Sequence, residues 1–216
     1  MKKILVLSII SIFSFLPVYA ELGVNLGVSG NMAVFHGTGQ ENENGEIETE
    51  DATGVAGWGS IFVEKTLGSR FAIGIDYVPD ALESETQTSL LDDLKGTGTS
   101  TSVVTQKIRV DFEDMTTVYA QLNVTENLYV KVGAVNVDVI TKESLGTGST
   151  YGDTNLEGTS YGIGYNHTLD NGIFWRIEGN AMDLGSTSVT ASNADNKVTL
   201  KNVEGASAKI SIGKSF

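Results

Sequence analysis

The strongest constraint on this chain is a strict two-residue alternation sustained far longer than an ordinary strand requires. From Leu22 the even positions read Leu22, Val24, Leu26, Val28, Gly30, Met32 and Val34. The odd positions read Gly23, Asn25, Gly27, Ser29, Asn31 and Ala33. Period two places alternate side chains on opposite faces, so one face is apolar and the other small and polar. Strands of soluble domains run about five or six residues. A strand tilted across a hydrocarbon layer needs about 9–11.

Seven further segments carry the same signature. The second, 55–67, is ambiguous in face, with Ile61 and Val63 on one side and Trp58 and Phe62 on the other. The third, 71–78, sets Phe71, Ile73, Ile75 and Tyr77 against Ala72, Gly74 and Asp76. The fourth, 103–124, keeps an apolar even face through Val104, Ile108, Val110, Phe112, Val118, Ala120, Leu122 and Val124. It is longer than any bilayer is thick, so part of it is expected to project, with 83–89 pairing against the projection. The fifth, 128–140, begins with Leu128, Val130, Val132 and Ala134 on one face and then switches to Val135, Val137 and Val139, which predicts a bulge near Gly133. The last three are 159–168, 173–184 and a final strand ending Ala206, Ala208, Ile210, Ile212, Phe216.

The connections sharpen this reading. Loops 36–54, 79–102, 141–158 and 185–196 are long; 67–70, 125–127 and 170–172 are tight turns, the last holding an Asn-Gly pair suited to positive φ. Eight strands joined by connections that alternate long and short predict an all-β, eight-stranded antiparallel up-and-down transmembrane β-barrel. The aromatics fall at two levels. Phe71, Tyr165, Trp175 and Phe216 lie beside the short turns, and Tyr77, Phe112 and Tyr161 lie nearer the long loops, as interfacial girdles do.

Residues 1–20 read as a cleaved secretory signal. Lys2 and Lys3 precede an apolar run over 4–16, and Val18 and Ala20 occupy the −3 and −1 positions of a cleavage site. The barrel domain is then 21–216, exported to the outer membrane of a Gram-negative bacterium. The formal net charge is −13, and −15 once Lys2 and Lys3 are removed. That charge argues against nucleic-acid binding. With no cysteine, disulfides and thiol chemistry are excluded.

These features, together with the terminal Ala208-Lys-Ile-Ser-Ile-Gly-Lys-Ser-Phe216, resemble the small eight-stranded outer-membrane barrels, typified by the OmpA transmembrane domain and opacity-type surface proteins. The resemblance spans 21–216. It implies that the last strand, through Ile210, Ile212 and Phe216, is read by the barrel-insertion machinery. Lys214 departs from that pattern, which more often has an apolar or aromatic residue there. The resemblance also implies contact with outer-membrane lipid and lipopolysaccharide.

Alternation directs Glu64, Asp76, Lys107, Arg109, Asp111, Glu113, Lys131, Arg176, Glu178 and Lys209 into the barrel or its outer extension. An eight-stranded barrel is only wide enough for side chains to fill it, so these charges are expected to pair as a plug, the alternative being a narrow gate for small ions. The chain is read as non-enzymatic. His36 and His167 fall at opposite ends and in no nucleophile motif. The acidic stretch Glu41 to Asp51 lacks the spacing of a cation loop, so no metal or cofactor is expected. The Gly-Thr stretches at 96–99 and 146–149 read as loop tips rather than phosphate loops. The expected role is structural or surface-interacting, the loops meeting other cells, phage or envelope partners. A low-conductance pore and a soluble periplasmic ligand-binding barrel are the alternatives.

Overall fold

The computed structural model describes residues 23–43, 46–83, 87–94, 101–144, 150–192 and 196–216. The signal segment 1–20 and the Gly-Thr stretches at 96–99 and 146–149 lie outside these. Eleven strands follow in chain order: β1 (Val24–Glu43), β2 (Glu46–Leu67), β3 (Phe71–Tyr77), β4 (Leu82–Glu83), β5 (Gln87–Leu94), β6 (Thr101–Asn123), β7 (Leu128–Ser144), β8 (Thr154–Thr168), β9 (Ile173–Asp183), β10 (Thr187–Thr190) and β11 (Lys197–Ser215). Eight of them form a ring in the order β1-β2-β3-β6-β7-β8-β9-β11. It closes by antiparallel pairing of β11 with β1 from Asn25↔Ser215 upward. Closure removes the unpaired edges that an open sheet would leave.

All eight expected strands are present, and the tight turns fall where the sequence places them, with Gly68 and Gly172 at φ +70 and +80. The long connections differ from the expectation. Residues 36–54 are not a loop: β1 and β2 continue as one hairpin, paired from His36↔Thr53 out to Glu43↔Glu46. In the second connection, β4 and β5 pair with β6, as the length of the fourth segment anticipates. A short β10 pairs with β11.

The wall changes character along its height. Near the short turns the outward residues form an apolar belt that includes Val28, Ile73, Ile75, Val118, Val130, Ile163, Ile177, Ile210 and Ile212, all exposed. The inward residues there are small or polar. Beyond the belt the pattern inverts. On β8, Tyr161, Ile163 and Tyr165 point out opposite Ser160, Gly162 and Gly164; further up, Asn155 and Glu157 point out while Leu156 is buried. The interior of this extension is an apolar core built from Ala33, Val78, Met115, Val135, Val137, Val139, Leu156, Met182, Leu184 and Val203.

Two expectations about register are corrected here. Strand β7 has no bulge near Gly133. It pairs with β8 without a break from Leu128↔Tyr165 to Val139↔Thr154, and Val135, Val137 and Val139 simply continue the inward face. The bulge is on β6. Its pairing with β7 shifts between Glu113 and Thr116, with Asp114 at φ +53. Met115, Tyr119 and Gln121 are buried below the bulge, while Phe112, opposite Val139, packs into the apolar core above it. A similar shift occurs between β11 and β1, where Asn202 has φ +51.

Candidate functional site: the charged barrel interior

Residues that alternate inward along β2, β3, β7, β9 and β11 bring six charges to the middle of the barrel. Three are acids (Glu64, Asp76, Glu178) and three are bases (Lys131, Arg176, Lys209), so the cluster is neutral. Glu64 is 1% exposed, Glu178 4% and Arg176 6%. Removing an ion from water costs several kcal/mol, which only close pairing and additional hydrogen bonds offset. The Arg176 guanidinium forks onto Glu64 through Nη1 at 2.8 Å and Nη2 at 2.9 Å. Glu64 also accepts from Asn25 Nδ2 at 2.7 Å and Tyr119 Oη at 3.1 Å. Glu178 accepts from Lys131 Nζ at 2.5 Å and Tyr129 Oη at 2.8 Å. Lys209 pairs with Asp76.

Aromatic faces complete the cage. The Arg176 guanidinium lies 4.6 Å from the Phe174 ring centre and 5.5 Å from those of Phe62 and Tyr129. Lys131 Nζ sits 4.7 Å from the Tyr119 ring. Desolvated cation–π contacts of this kind are worth about 2 kcal/mol.

A simple rule makes room for these rings. Five inward aromatics lie directly across from an inward glycine on the neighbouring strand: Phe62 opposite Gly27, Tyr119 opposite Gly74, Tyr129 opposite Gly164, Phe174 opposite Gly213 and Phe35 opposite Gly205. A Cβ on Gly74 would fall 2.5 Å from Tyr119 Cζ. The buried ring, anchored to Glu64, has nowhere to move. Gly74→Ala is therefore expected to cost about 1–3 kcal/mol by overpacking, measured as a lower urea midpoint of the refolded barrel. At the outward-facing Gly179 a methyl would meet nothing within 4 Å, so Gly179→Ala should leave the midpoint unchanged or raise it slightly.

The ten charges expected inside separate into two groups. Glu64, Asp76, Lys131, Arg176, Glu178 and Lys209 form the interior network. Lys107, Arg109, Asp111 and Glu113 do not join it, because the bulge at Asp114 turns the odd residues of upper β6 to the side of the strand away from the apolar core, where Asp111 is nonetheless covered, at 3% exposed. There Arg109 bridges Glu83 at 3.1 Å and Asp111 at 2.9 Å, and Lys107 is exposed.

The outer aromatics Phe71, Tyr161, Tyr165, Trp175 and Phe216 are exposed, and Tyr77 is half-buried, donating to Asp114 Oδ1 at 2.5 Å. Phe112 does not belong with them, since it packs inside. His36 is bonded to Thr53 at 3.2 Å on the hairpin, and His167 lies beside Trp175 at the opposite end, the two rings tilted by 46°.

Alternation alone does not single out Asn25, Tyr119, Tyr129, Phe62 and Phe174 as partners of the charges. The signal that finds the four rings is the glycine on the facing strand, and Asn25 stands directly across from Glu64; both are legible only once register is known.

Above the network a void of about 40 Å3 lies between Lys131, Glu178 and Lys209 on one side and Met115 and Met182 on the other. Beyond it comes the apolar core. Below it, between the short turns, is a larger cavity of about 180 Å3 roofed by Glu64 and Arg176.

Fold and site together define an eight-stranded up-and-down barrel with an apolar outer belt and an ion-paired interior. Among solved structures the chain is similar to the outer membrane protein OprG from Pseudomonas aeruginosa, with a TM-score of 0.58 and 11% identity over 91% of this chain and 97% of that one. It is also similar to the outer membrane protein AlkL in lipid bilayers, with a TM-score of 0.52 and 15% identity over 93% and 94% of the two chains. At these identities the likeness is one of fold. No protein-family model and no curated protein matches the chain.

Proposed function

We propose that this protein spans the outer membrane as a closed barrel and holds a rigid, acidic β-extension outside it for contact with surface partners. The observation that carries the reading is the inversion of the wall. Apolar side chains face out and polar ones in along the belt, and the order reverses beyond it. Hydrocarbon outside favours the first arrangement and water outside the second. A soluble ligand-binding barrel would expose the whole belt to water, an apolar patch far larger than such proteins tolerate.

The interior favours a plug over a pore. A permeating ion would have to separate the bidentate Arg176–Glu64 pair and then cross the apolar core containing Val137 and Leu156. The outer hairpin, with Glu41, Glu50 and Asp51 near its end, suits cationic surfaces on other cells, phage or the envelope.

The test is gel mobility of the outer-membrane fraction in SDS, boiled against unboiled, followed by planar-bilayer recording. A heat-dependent shift without discrete conductance steps is expected. Recovery in the soluble periplasmic fraction with no shift would sink the membrane reading, and regular steps would replace the plug with a pore.

A further inference from the structure

The wall is closed through the belt, but above it one strand edge is unpaired. Thr66 N–H donates to the Gly23 carbonyl, and the register of β1 with β2 continues without a break from Val24↔Lys65 to Glu43↔Glu46. Bonded pairs of an antiparallel ladder recur at every second residue. The even residues of β2 therefore direct their backbone N–H and C=O groups to β1, and the odd residues direct theirs to the other edge. Beside the belt β3 takes up that edge, from Leu67↔Phe71 to Ile61↔Tyr77. The next bonding position would set Gly59 against residue 79, which is a proline and has no N–H to give. The chain leaves β2 there.

Among the described residues nothing replaces β3. Strand β4 approaches β2 without pairing to it, and no Cα of β5 comes within 8 Å of one in β2, whereas paired strands lie about 4.8 Å apart. Ile47, Thr49, Asp51, Thr53 and Val55 present this unpaired edge. All five are exposed, Ile47 at 60% and Val55 at 72%. Proteins usually blunt such an edge with proline, lysine, a bulge or a short strand. From Glu46 to Gly59, β2 holds no proline or lysine and its register has no shift. An edge left in this state is a template for another strand.

Charge decides which strand. Glu46, Glu48, Glu50 and Asp51 lie along the edge, and no lysine or arginine occurs from 21 to 64. Acids at this density repel an acidic strand and attract a basic one. A second copy of the chain is disfavoured for the same reason. Copies in one membrane stand the same way up, so a two-fold pair would set Glu50 and Asp51 at the height of their own counterparts.

We propose that the edge of β2 from Ile47 to Val55 takes up an extended segment of a partner protein as an added strand, one that carries lysine or arginine among β-branched residues. Backbone bonds to the odd residues hold the segment, and the acids select it. This names the kind of partner for the surface role proposed above, and it rests on the extension standing outside the membrane.

The experiment uses the refolded full barrel in detergent and a short fluorescent peptide of lysine, threonine and valine. Two further peptides serve as controls: the same one N-methylated at every peptide bond, and one with glutamate in place of lysine. Anisotropy should show saturable binding of the first, binding about tenfold weaker or less of the N-methylated peptide through lost backbone bonds, and none of the glutamate peptide. Thr53→Pro is the matching change in the protein. The N–H it removes points to the free edge, and it gives up only the exposed contact with His36. Urea midpoint and gel shift should therefore be retained while peptide binding falls by a similar factor. Absence of saturation, or equal binding of the N-methylated peptide, would overturn strand addition, and so would undiminished binding to a folded Thr53→Pro barrel. Equal binding of the glutamate peptide would overturn the choice of partner. These comparisons of peptides on the wild-type protein stand whether or not the variant folds. Binding to isolated outer membranes but not to intact cells expressing the barrel would uphold the edge and overturn its outward placement.

Discussion

Arg176→Ala is expected to lower the unfolding free energy of the refolded barrel by about 3–5 kcal/mol, the usual result of removing one partner from a buried pair. The loss has identifiable parts. Glu64 would keep only Asn25 and Tyr119 as donors while remaining 1% exposed. The rings of Phe62, Phe174 and Tyr129 would face a void where the guanidinium had been. Asn166 Oδ1 would lose its donor. The measurement is the urea midpoint followed by the fluorescence of Trp58 and Trp175. The companion variant Glu64→Gln with Arg176→Met removes both charges while nearly conserving volume, and it should recover most of the loss, because a buried pair replaced as a unit is close to neutral. This comparison separates a plug from a gate. A plug predicts a large fall for the single variant and recovery for the double. A gate predicts a nearly unchanged midpoint for Arg176→Ala together with new conductance steps, and that outcome would end the plug reading.

What can be read from the chain alone follows from where its environment is uniform. Along the belt the outside is always apolar, so β1 from Val24 to Val34 and β3 from Phe71 to Tyr77 declare their faces by alternation, and the turns at Gly68 and Gly172 declare themselves by composition. The same uniformity locates Arg176, Glu178, Glu64 and Lys131 inside. The errors cluster where the wall leaves the belt. On β7 the apolar residues change parity at Ala134 and Val135, which in one solvent would require a bulge. The strand is regular, and its surroundings change instead. On β6 the apolar parity is unbroken from Val110 to Val124, which in one solvent would mean a regular strand. There a bulge at Asp114 exchanges the two faces just as the surroundings change, and the two reversals cancel in the sequence. For this single reason alternation puts Phe112 in the outer girdle and Asp111 in the interior network, whereas Phe112 packs against the apolar core and Asp111, buried though it is, pairs with Arg109. The long acidic hairpin reads as a loop because charge alone suggests solvation, although its β1 and β2 residues pair throughout.

Deleting single residues from β6 and β7 distinguishes a reversal of the strand from a reversal of its surroundings. In β6 the bulge places both Glu113 and Asp114 on the outer side, between the inward Phe112 and Met115. Deleting Asp114 joins Glu113 directly to Met115 and leaves a regular alternation with every neighbour on its present face. The deletion also removes a non-glycine residue at φ +53, a conformation costing about 1–2 kcal/mol, against the loss of the Tyr77 hydrogen bond at 2.5 Å. The variant should therefore keep both barrel and extension, with a small change in urea midpoint. Deleting Asn136 from β7 should have the opposite result. No irregularity on that strand is available to absorb the change, so Val137 and Val139 would turn outward and Asp138 would enter the core formed by Met115, Leu156 and Met182. A one-residue slip moves the whole face, and an unpaired carboxylate in such a core is among the costliest substitutions. The extension is expected to become protease-sensitive in this variant, with cleavage mapping above Ala134, while the barrel below retains its heat-dependent gel shift. If instead Asp114 proves indispensable and Asn136 can be deleted freely, then upper β6 and β7 face the other way and the inversion of the wall, on which the membrane boundary rests, is wrong.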